Sequence, residues 1–253
     1  MVRMRTHIVY AHPDNGSLNA ALRDEAVLTL EGLGHTVTVA DLYAMNWKAV
    51  ADYDDFGPTD SERFIAAAGE AWTNASLAPD IKAEHEHLLA ADNVIFQFPL
   101  WWYTVPAILK GWFDRVFTSG FGYGPTHDWP RFGDGVLKGK RAMVIVTTGA
   151  AEDHLSERGV NGHIDDLLFP LQHGVLFYPG MAVLPPVVVT SALGMDAARY
   201  TDTVKHLRER LETLTETEPI AYRKQSEDYD EHRRLLPGRE APGTTGFALH
   251  IAR

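Results

Sequence analysis

The stretch NVIFQFPLWWYTVPAILKGWFDRVF, residues 93–117, decides the fold. Its first part is an apolar run that is typical of a strand covered on both faces. Its last part repeats apolar residues with the spacing of a helix and predicts a stripe that faces a core or a dimer seam. Between them, three consecutive aromatic residues fall in a short connection. The stretch therefore predicts one strand, loop and helix unit of an α/β protein.

The same alternation continues along the chain on both sides of this stretch. Further strands are predicted at residues 7–11, 35–40, 141–147 and 181–189, and helices at residues 18–33, 81–91 and 197–214. Pro185 and Pro186 interrupt the last strand, which suits an edge or a bend. The alternation predicts a doubly wound five-stranded parallel sheet in the flavodoxin-like order 2-1-3-4-5.

The domain organisation follows from a change in composition. Residues 1–217 carry the alternating pattern, whereas residues 218–253 are polar and rich in Gly and Pro. We expect this C-terminal extension to be an extended tail, either disordered or, as we prefer, packed on the partner subunit of a dimer.

Charge and cysteine content restrict the function. A net charge of −11 and a pI near 5.5 argue against nucleic acids and anionic membranes as partners. The absence of cysteine excludes disulfides, thiolate catalysis and Cys-ligated metals, and it fits a reducing compartment. No apolar run approaches the length of a membrane span. We expect a soluble, cytoplasmic protein with a small-molecule ligand.

Three loops should meet where the first and third strands diverge, which is where ligands bind in such sheets. The first, residues 12–19, places hydroxyl and amide donors at the start of a helix, where a phosphate is favoured. An ordinary helix cap at Ser17 would have the same sequence. Neither a G-x-G-x-x-G nor a G-x-x-x-x-G-K-[ST] motif is present.

The second and third loops indicate a flat ligand. Trp101, Trp102 and Tyr103 are consecutive and cannot all point into one core, so at least one ring should cover a planar cofactor, the end of the sheet or a subunit interface. The third loop, TTGAA at residues 147–151, has small side chains that allow close approach of the backbone. Its N–H groups could donate to the electron-rich edge of a heterocycle, or the loop is a plain turn.

These stretches, together with YAHPDNGSLN, DLYAMN, GVNG, FPLQHG and GFALH, resemble the NAD(P)H quinone dehydrogenase family, with features of its ribosyldihydronicotinamide dehydrogenase branch. The resemblance spans residues 7–216. It implies a flavodoxin-like fold, a homodimer with sites at the interface, and FAD rather than FMN. It also implies a ping-pong reaction that passes hydride from NADPH or NADH to quinones.

The resemblance also implies site residues by position. The cofactor-binding residues would be His12, Ser17, Leu18, Asn19, Pro99, Leu100, Trp101, Trp102, Tyr103, Thr147, Thr148, Gly149, Ala150, Leu155 and Arg199. The substrate-binding residues would be Trp102, Tyr103, Tyr123, Asn161 and Tyr178, with the Tyr123 and Tyr178 side chains supplied by the second subunit. Asn161, Tyr103 and Gly149 would be catalytic.

Departures from the family pattern affect proton delivery and metal binding. Leu155 and Asn161 occupy the positions of a Tyr and a His that relay charge in the family, and Asn161 is the variant of the branch that prefers shortened nicotinamide donors. His173 lacks the second His and the Cys of that branch's metal site, so we predict no metal. Three alternatives stay open: a regulatory subunit of a potassium efflux transporter, an azo or nitro compound reductase, and a one-electron flavodoxin carrier.

Overall fold

A computed structural model describes residues 3–124, 126 and 128–252. Its sheet contains β1 Arg5–Tyr10, β2 Thr36–Asp41, β3 Asn93–Pro99, β4 Arg141–Thr147, β5 Ala182–Val183 and β6 Val187–Val189. The order is β2-β1-β3-β4-β5, β6 also pairs with β4, and every pair is parallel. The predicted doubly wound, flavodoxin-like order is confirmed.

Helices cover both faces of this sheet. They are α1 Leu18–Gly32, α2 Phe64–Thr73, α3 Pro79–Ala90, α4 Ala107–Val116, α5 Ile164–Leu171, α6 Ala197–Glu212 and the short α7 Gln225–Asp228. Side chains of α1 and α6 pack with one face, while those of α3, α4 and α5 pack with the other. In the described part of the chain, none is long and apolar enough to cross a membrane.

The strand and the stripe that open the sequence argument form the centre of the core. All seven residues of β3 are buried. From α4, Leu109, Trp112 and Val116 are fully buried against it. β3 lies between β1 and β4, so its carboxyl end and that of β1 border the crevice at which the chain changes direction across the sheet.

The fifth predicted strand is divided by its two prolines. β5 and β6 flank Pro185 and Pro186, and both pieces pair with β4 in parallel. Arg210 of α6 donates to the carbonyl oxygens of both prolines, at 3.3 Å to Pro186 and 2.6 Å to Pro185. Proline has no N–H to donate to a neighbouring strand, so the ladder is interrupted at these two residues. The hydrogen bonds from Arg210 to their carbonyl oxygens stabilise the resulting bend.

The C-terminal tail is ordered against its own chain. Ile220 N–H donates to Val183 O at 2.8 Å, which covers the outer side of β5. The Tyr222 ring is buried in the core, and Phe247 stacks on Phe169 with a centroid distance of 4.2 Å. The described tail thus contacts its own chain, and its packing on a partner subunit stays a prediction.

Candidate active site

Buried hydrogen bonds fasten the three predicted loops to one another. Leu100 N–H donates to Thr147 O at 2.8 Å, which joins the second loop to the end of β4. Asn19 Nδ2 donates to Thr147 Oγ1 at 2.7 Å, and Gln97 Nε2 donates to Asn19 O at 2.6 Å. The side chains of Asn19 and Thr147 are thus buried within the protein, where they position the loops. Asn19 Oδ1 and Gln97 Oε1 have no partner among the described residues.

The first loop presents free backbone donors at the start of α1. Ser17 is the N-cap, and its hydroxyl accepts the N–H of Ala20 at 3.2 Å. The N–H groups of Leu18 and Asn19 have no acceptor among the described residues. His12 Nδ1 lies 3.1 Å from Asp14 N and 3.3 Å from Asp14 O, so this ring nitrogen is held by the loop. Free N–H groups and the helix dipole favour an anion here.

The aromatic loop is a strained hairpin turn. Trp101 and Thr104 exchange two backbone hydrogen bonds of 3.0 Å, and the two residues between them adopt left-handed conformations, with φ of 50° at Trp102 and 62° at Tyr103. Such a turn favours Asn-Gly, because each bulky residue in this region costs about 1–3 kcal/mol. The Trp102 side chain is 93% exposed. Strain that leaves an indole in water indicates a surface for a ligand.

The third loop offers fewer donors than its sequence predicts. Thr148 N–H donates to Val189 O at 2.9 Å, and Ala150 N–H donates to Thr148 Oγ1 at 3.2 Å. Gly149 N–H has no acceptor among the described residues. Of residues 148–150, only Gly149 therefore keeps an N–H that is free to face a cofactor, and the N–H groups of Thr148 and Ala150 are excluded from that role. Thr148 and Ala150 hold the loop in place.

Sequence reasoning missed Leu193, which lies beside this loop. Its side chain is 97% exposed, and its Cδ1 lies 3.5 Å from where a Cβ on Gly149 would be. The only local signal was a leucine between small residues after the bent fifth strand. Its position depends on how the β6–α6 loop folds, which spacing does not reveal. Leu193 adds an apolar surface to the same end of the sheet.

The predicted catalytic pair is in contact. Tyr103 Oη donates to Asn161 Oδ1 at 2.9 Å, although 58 residues separate them. This bond fixes the Asn161 amide and leaves its Nδ2 protons for another acceptor. Asn161 N–H donates to His154 O at 3.0 Å, which ties the residue to the turn after β4. Leu155, in the same turn, has a buried side chain.

The structure does not bring Tyr123 and Tyr178 to this pair. Both line a separate depression of about 340 Å³ next to α4. Burial raises the pKa of Tyr123, and the neighbouring Tyr178 adds to this effect. The five residues predicted to bind substrate therefore fall into two groups within one chain. The Tyr123 and Tyr178 group can join the other only if it comes from a second copy.

The remaining predicted residues support the strand ends. Pro99 is buried at the end of β3, and Trp101 lies with its ring centroid 6.1 Å from that of His12. Arg199, in the first turn of α6, donates to the carbonyl oxygens of Thr190 and Gly194 at 3.0 and 3.1 Å. Free N–H groups, a strained aromatic turn and an open Gly149 suit a flat cofactor that carries phosphate. A flavin nucleotide fits this site.

A crevice of this kind on a doubly wound sheet defines the class of flavodoxin-like nucleotide-cofactor proteins. A family model described as flavodoxin-like fold matches residues 4–212. The chain belongs to this family and, within it, to the NAD(P)H quinone dehydrogenases, as its relatives show.

Relatives match over most of the chain. The ribosyldihydronicotinamide dehydrogenase-like protein traD of Penicillium crustosum is 45% identical over 98% of this chain and 95% of its own. Human ribosyldihydronicotinamide dehydrogenase (quinone) is 42% identical over 87% of this chain and 96% of its own. A solved structure of a candidate quinone reductase from Klebsiella pneumoniae is 49% identical, with a TM-score of 0.95 and coverage of 98% and 100%.

Proposed function

We propose that this enzyme is a flavin-dependent reductase that passes two electrons, as hydride, from a reduced nicotinamide to quinones. The observation that carries the proposal is the strained turn at Trp102 and Tyr103, which holds exposed aromatic rings at the same end of the sheet as the free N–H of Gly149. The names of the relatives, quinone dehydrogenases and a quinone reductase, support the same reaction.

Each loop has one role in holding the cofactor. The free N–H groups of Leu18 and Asn19 bind phosphate oxygens. The rings of Trp101 to Tyr103 would form one wall for the flat ring system, and the N–H of Gly149 would be available to donate to its electron-rich edge. The flavin, when bound, supplies the redox chemistry. We propose FAD as this flavin, on the family likeness.

The Tyr103 and Asn161 pair orients the nicotinamide donor and the quinone in turn. Because Tyr103 Oη donates to Asn161 Oδ1, the Asn161 Nδ2 protons can donate to a carbonyl oxygen of either substrate. Both substrates use the same space, so the reaction is ping-pong. Neither the Leu155 side chain nor the Asn161 amide can act as a general acid or base near neutral pH. Rate acceleration therefore rests on orientation and electrostatics.

The complete site needs two copies of the chain. Tyr123 and Tyr178 line a depression that is separate from the Tyr103 and Asn161 pair. A homodimer in which the depression of one protomer faces the aromatic turn of its partner would join the two groups. Each dimer would then have two equivalent sites.

The test begins with the bound cofactor. Heat release and mass spectrometry of the purified protein should identify FAD. Under anaerobic conditions, stopped-flow absorbance should show bleaching of the flavin by NADH, NADPH or ribosyldihydronicotinamide, and reoxidation by menadione. Asn161→Ala should raise the KM for menadione, whereas Val160→Ala, at the exposed neighbouring residue, should not. A flavin-loaded protein that none of the three donors reduces and that menadione does not reoxidise would refute the proposal.

A further inference from the structure

The guanidinium of Arg199 donates hydrogen bonds to the loop that precedes its own helix, α6. Nη1 donates to Gly194 O at 3.1 Å and to Ser191 O at 3.4 Å, and Nη2 donates to Thr190 O at 3.0 Å. Its backbone N–H donates to the Asp196 carboxylate at 2.9 Å. One residue thus binds three carbonyl groups and the N-cap of α6. This arrangement fixes the conformation of residues 190–196.

The loop that Arg199 holds is itself strained and bound to the third loop of the site. Ser191 adopts a left-handed conformation with φ of 48°, which a residue other than glycine keeps only when its surroundings enforce it. Ser191 N–H donates to Ala150 O at 2.8 Å, and Ala192 N–H donates to Thr148 O at 2.9 Å. The loop therefore determines where the backbone around Gly149 lies.

The same loop keeps Leu193 exposed next to Gly149. A leucine that is 97% exposed gains nothing from this conformation by itself. Beside the free N–H of Gly149, however, it provides an apolar surface for a ligand. The hydrogen bonds of Arg199 to this loop hold the surface in its exposed position.

We propose that Arg199 is a positioning residue: it clamps the 190–194 loop against residues 148–150, so that Leu193 and Gly149 form one preformed wall of the flavin site. In this role Arg199 does not act as a phosphate ligand, in contrast to the cofactor-binding role that the family resemblance implies. The inference rests on the proposed function for the identity of the ligand, and on the geometry alone for the clamp.

The chain supplies a matched control on the same helix. Arg210 also donates from α6 to two backbone carbonyls, those of Pro185 and Pro186, but it holds the bend between β5 and β6. Arg210→Gln removes the same kind of contact away from the carboxyl end of the sheet. Comparison of Arg199→Gln with Arg210→Gln separates positioning of the site from general stability.

The first measurement is hydrogen–deuterium exchange of the flavin-free protein. Arg199→Gln and Arg199→Lys should both increase the exchange of the Ser191 and Ala192 amides about tenfold, because a hydrogen bond to a charged group contributes at least that factor. Arg210→Gln should leave these two amides unchanged. Unchanged exchange in both Arg199 variants would overturn the proposal. Should Arg199→Gln not fold, Arg199→Lys decides alone.

The second measurement is the affinity for riboflavin, FMN and FAD, followed by quenching of flavin fluorescence. Arg199→Gln should weaken all three by the same factor, about tenfold, since the wall contacts what they share. Arg199→Lys should not restore binding, because one ammonium cannot reach carbonyls that a guanidinium spans. Weakening of FMN and FAD alone, or rescue by lysine, would identify a phosphate ligand and overturn the proposal. If the unaltered protein binds no flavin, the proposed function fails, while the exchange result still decides the clamp.

Discussion

The turn at residues 101–104 and the ion cluster around Arg115 differ in how their side chains are buried and paired. Arg115 is 2% exposed, and its guanidinium donates to Asp55 at 2.8 Å and to Asp80 at 2.7 Å. There a charge is buried, and partners satisfy it. In the turn, Trp102 is 93% exposed on a strained backbone, so an apolar ring is left without a partner. The first arrangement serves folding, and the second is useful only when a ligand arrives.

The Arg115 cluster should have the largest effect on stability. Arg115→Met leaves Asp55 buried with Lys48 as its remaining cation, at 3.0 Å. Loss of one partner from a buried pair typically costs about 3–5 kcal/mol. We expect the free energy of unfolding in urea to fall by about this amount, while the folded protein binds flavin normally.

An exposed ion pair supplies the control for this prediction. Lys138 and Asp134 pair at 2.7 Å, but the lysine side chain is 62% exposed. Lys138→Met should change the free energy of unfolding by about 0–1 kcal/mol. Equal losses from Arg115→Met and Lys138→Met would show that burial does not distinguish the two pairs, and the comparison would fail.

His173 tests a third condition, a buried polar group without a partner. Burial, with a smaller effect from His250, lowers the pKa of His173 from 6.5 to about 4, and Nε2 has no partner among the described residues. His173 binds a proton more tightly in the unfolded chain than in the folded protein. The free energy of unfolding is therefore unaffected by this residue above pH 6.5, and it falls as the pH is lowered from 6.5 to about 4. With allowance for partial solvent exposure, we expect a loss of about 2–3 kcal/mol in urea titrations.

Replacement of the ring isolates this contribution from that of the carboxylates. His173 stacks on Phe169 and Phe132, with centroid distances of 4.6 and 5.0 Å, so His173→Phe should fit the cluster. Between pH 6.5 and 4, the free energy of unfolding of this variant should fall by about 2–3 kcal/mol less than that of the unaltered protein. An unchanged profile in His173→Phe would contradict the prediction.

The strands could be predicted because buried strands consist of short, nearly continuous apolar runs that are visible in the local sequence. β4 has the predicted bounds of residues 141–147, and residues 93–99 are apolar enough to indicate cover on both faces. α2 was missed because its buried face consists of alanines, which carry little hydrophobic periodicity: Ala67, Ala68 and Ala71 pack beside Phe56 and Ile81. A weak local pattern became a helix through tertiary contacts.

The turn itself offers a prediction with opposite signs for stability and function. Replacing Trp102 and Tyr103 together by Asn and Gly gives the pair that such hairpin turns prefer. Relief of the strain should raise the free energy of unfolding by about 1–2 kcal/mol. Loss of the aromatic wall should weaken flavin binding at least about tenfold, as measured by fluorescence quenching. Tighter flavin binding together with a lower free energy of unfolding would show that the turn is neither strained nor a wall of the flavin site.

The residue types of the site could be predicted from the sequence, whereas the hydrogen bonds among them could not. Aromatic rings and small residues after two neighbouring strands indicated a flat ligand, and the strand order brought their loops together. Which N–H groups remain free could not be predicted, because this depends on residues far apart in sequence: the N–H of Thr148 donates to Val189 O at the end of β6. Leu193 was missed for the same reason, since its exposure depends on bonds from Arg199 to the loop.

The smallest expected effect belongs to the contact between Tyr103 and Asn161. Tyr103→Phe removes the 2.9 Å hydrogen bond but keeps the ring of the wall. Because the bond is solvent-exposed, the free energy of unfolding should stay the same. A freed Asn161 amide should bind a carbonyl less well by about 0.5–1.5 kcal/mol, which raises the KM for menadione about twofold to twelvefold. Flavin affinity should not change, because the ring persists. A Tyr103→Phe variant that instead loses flavin while its KM stays constant would place the hydroxyl at the cofactor rather than at the substrate.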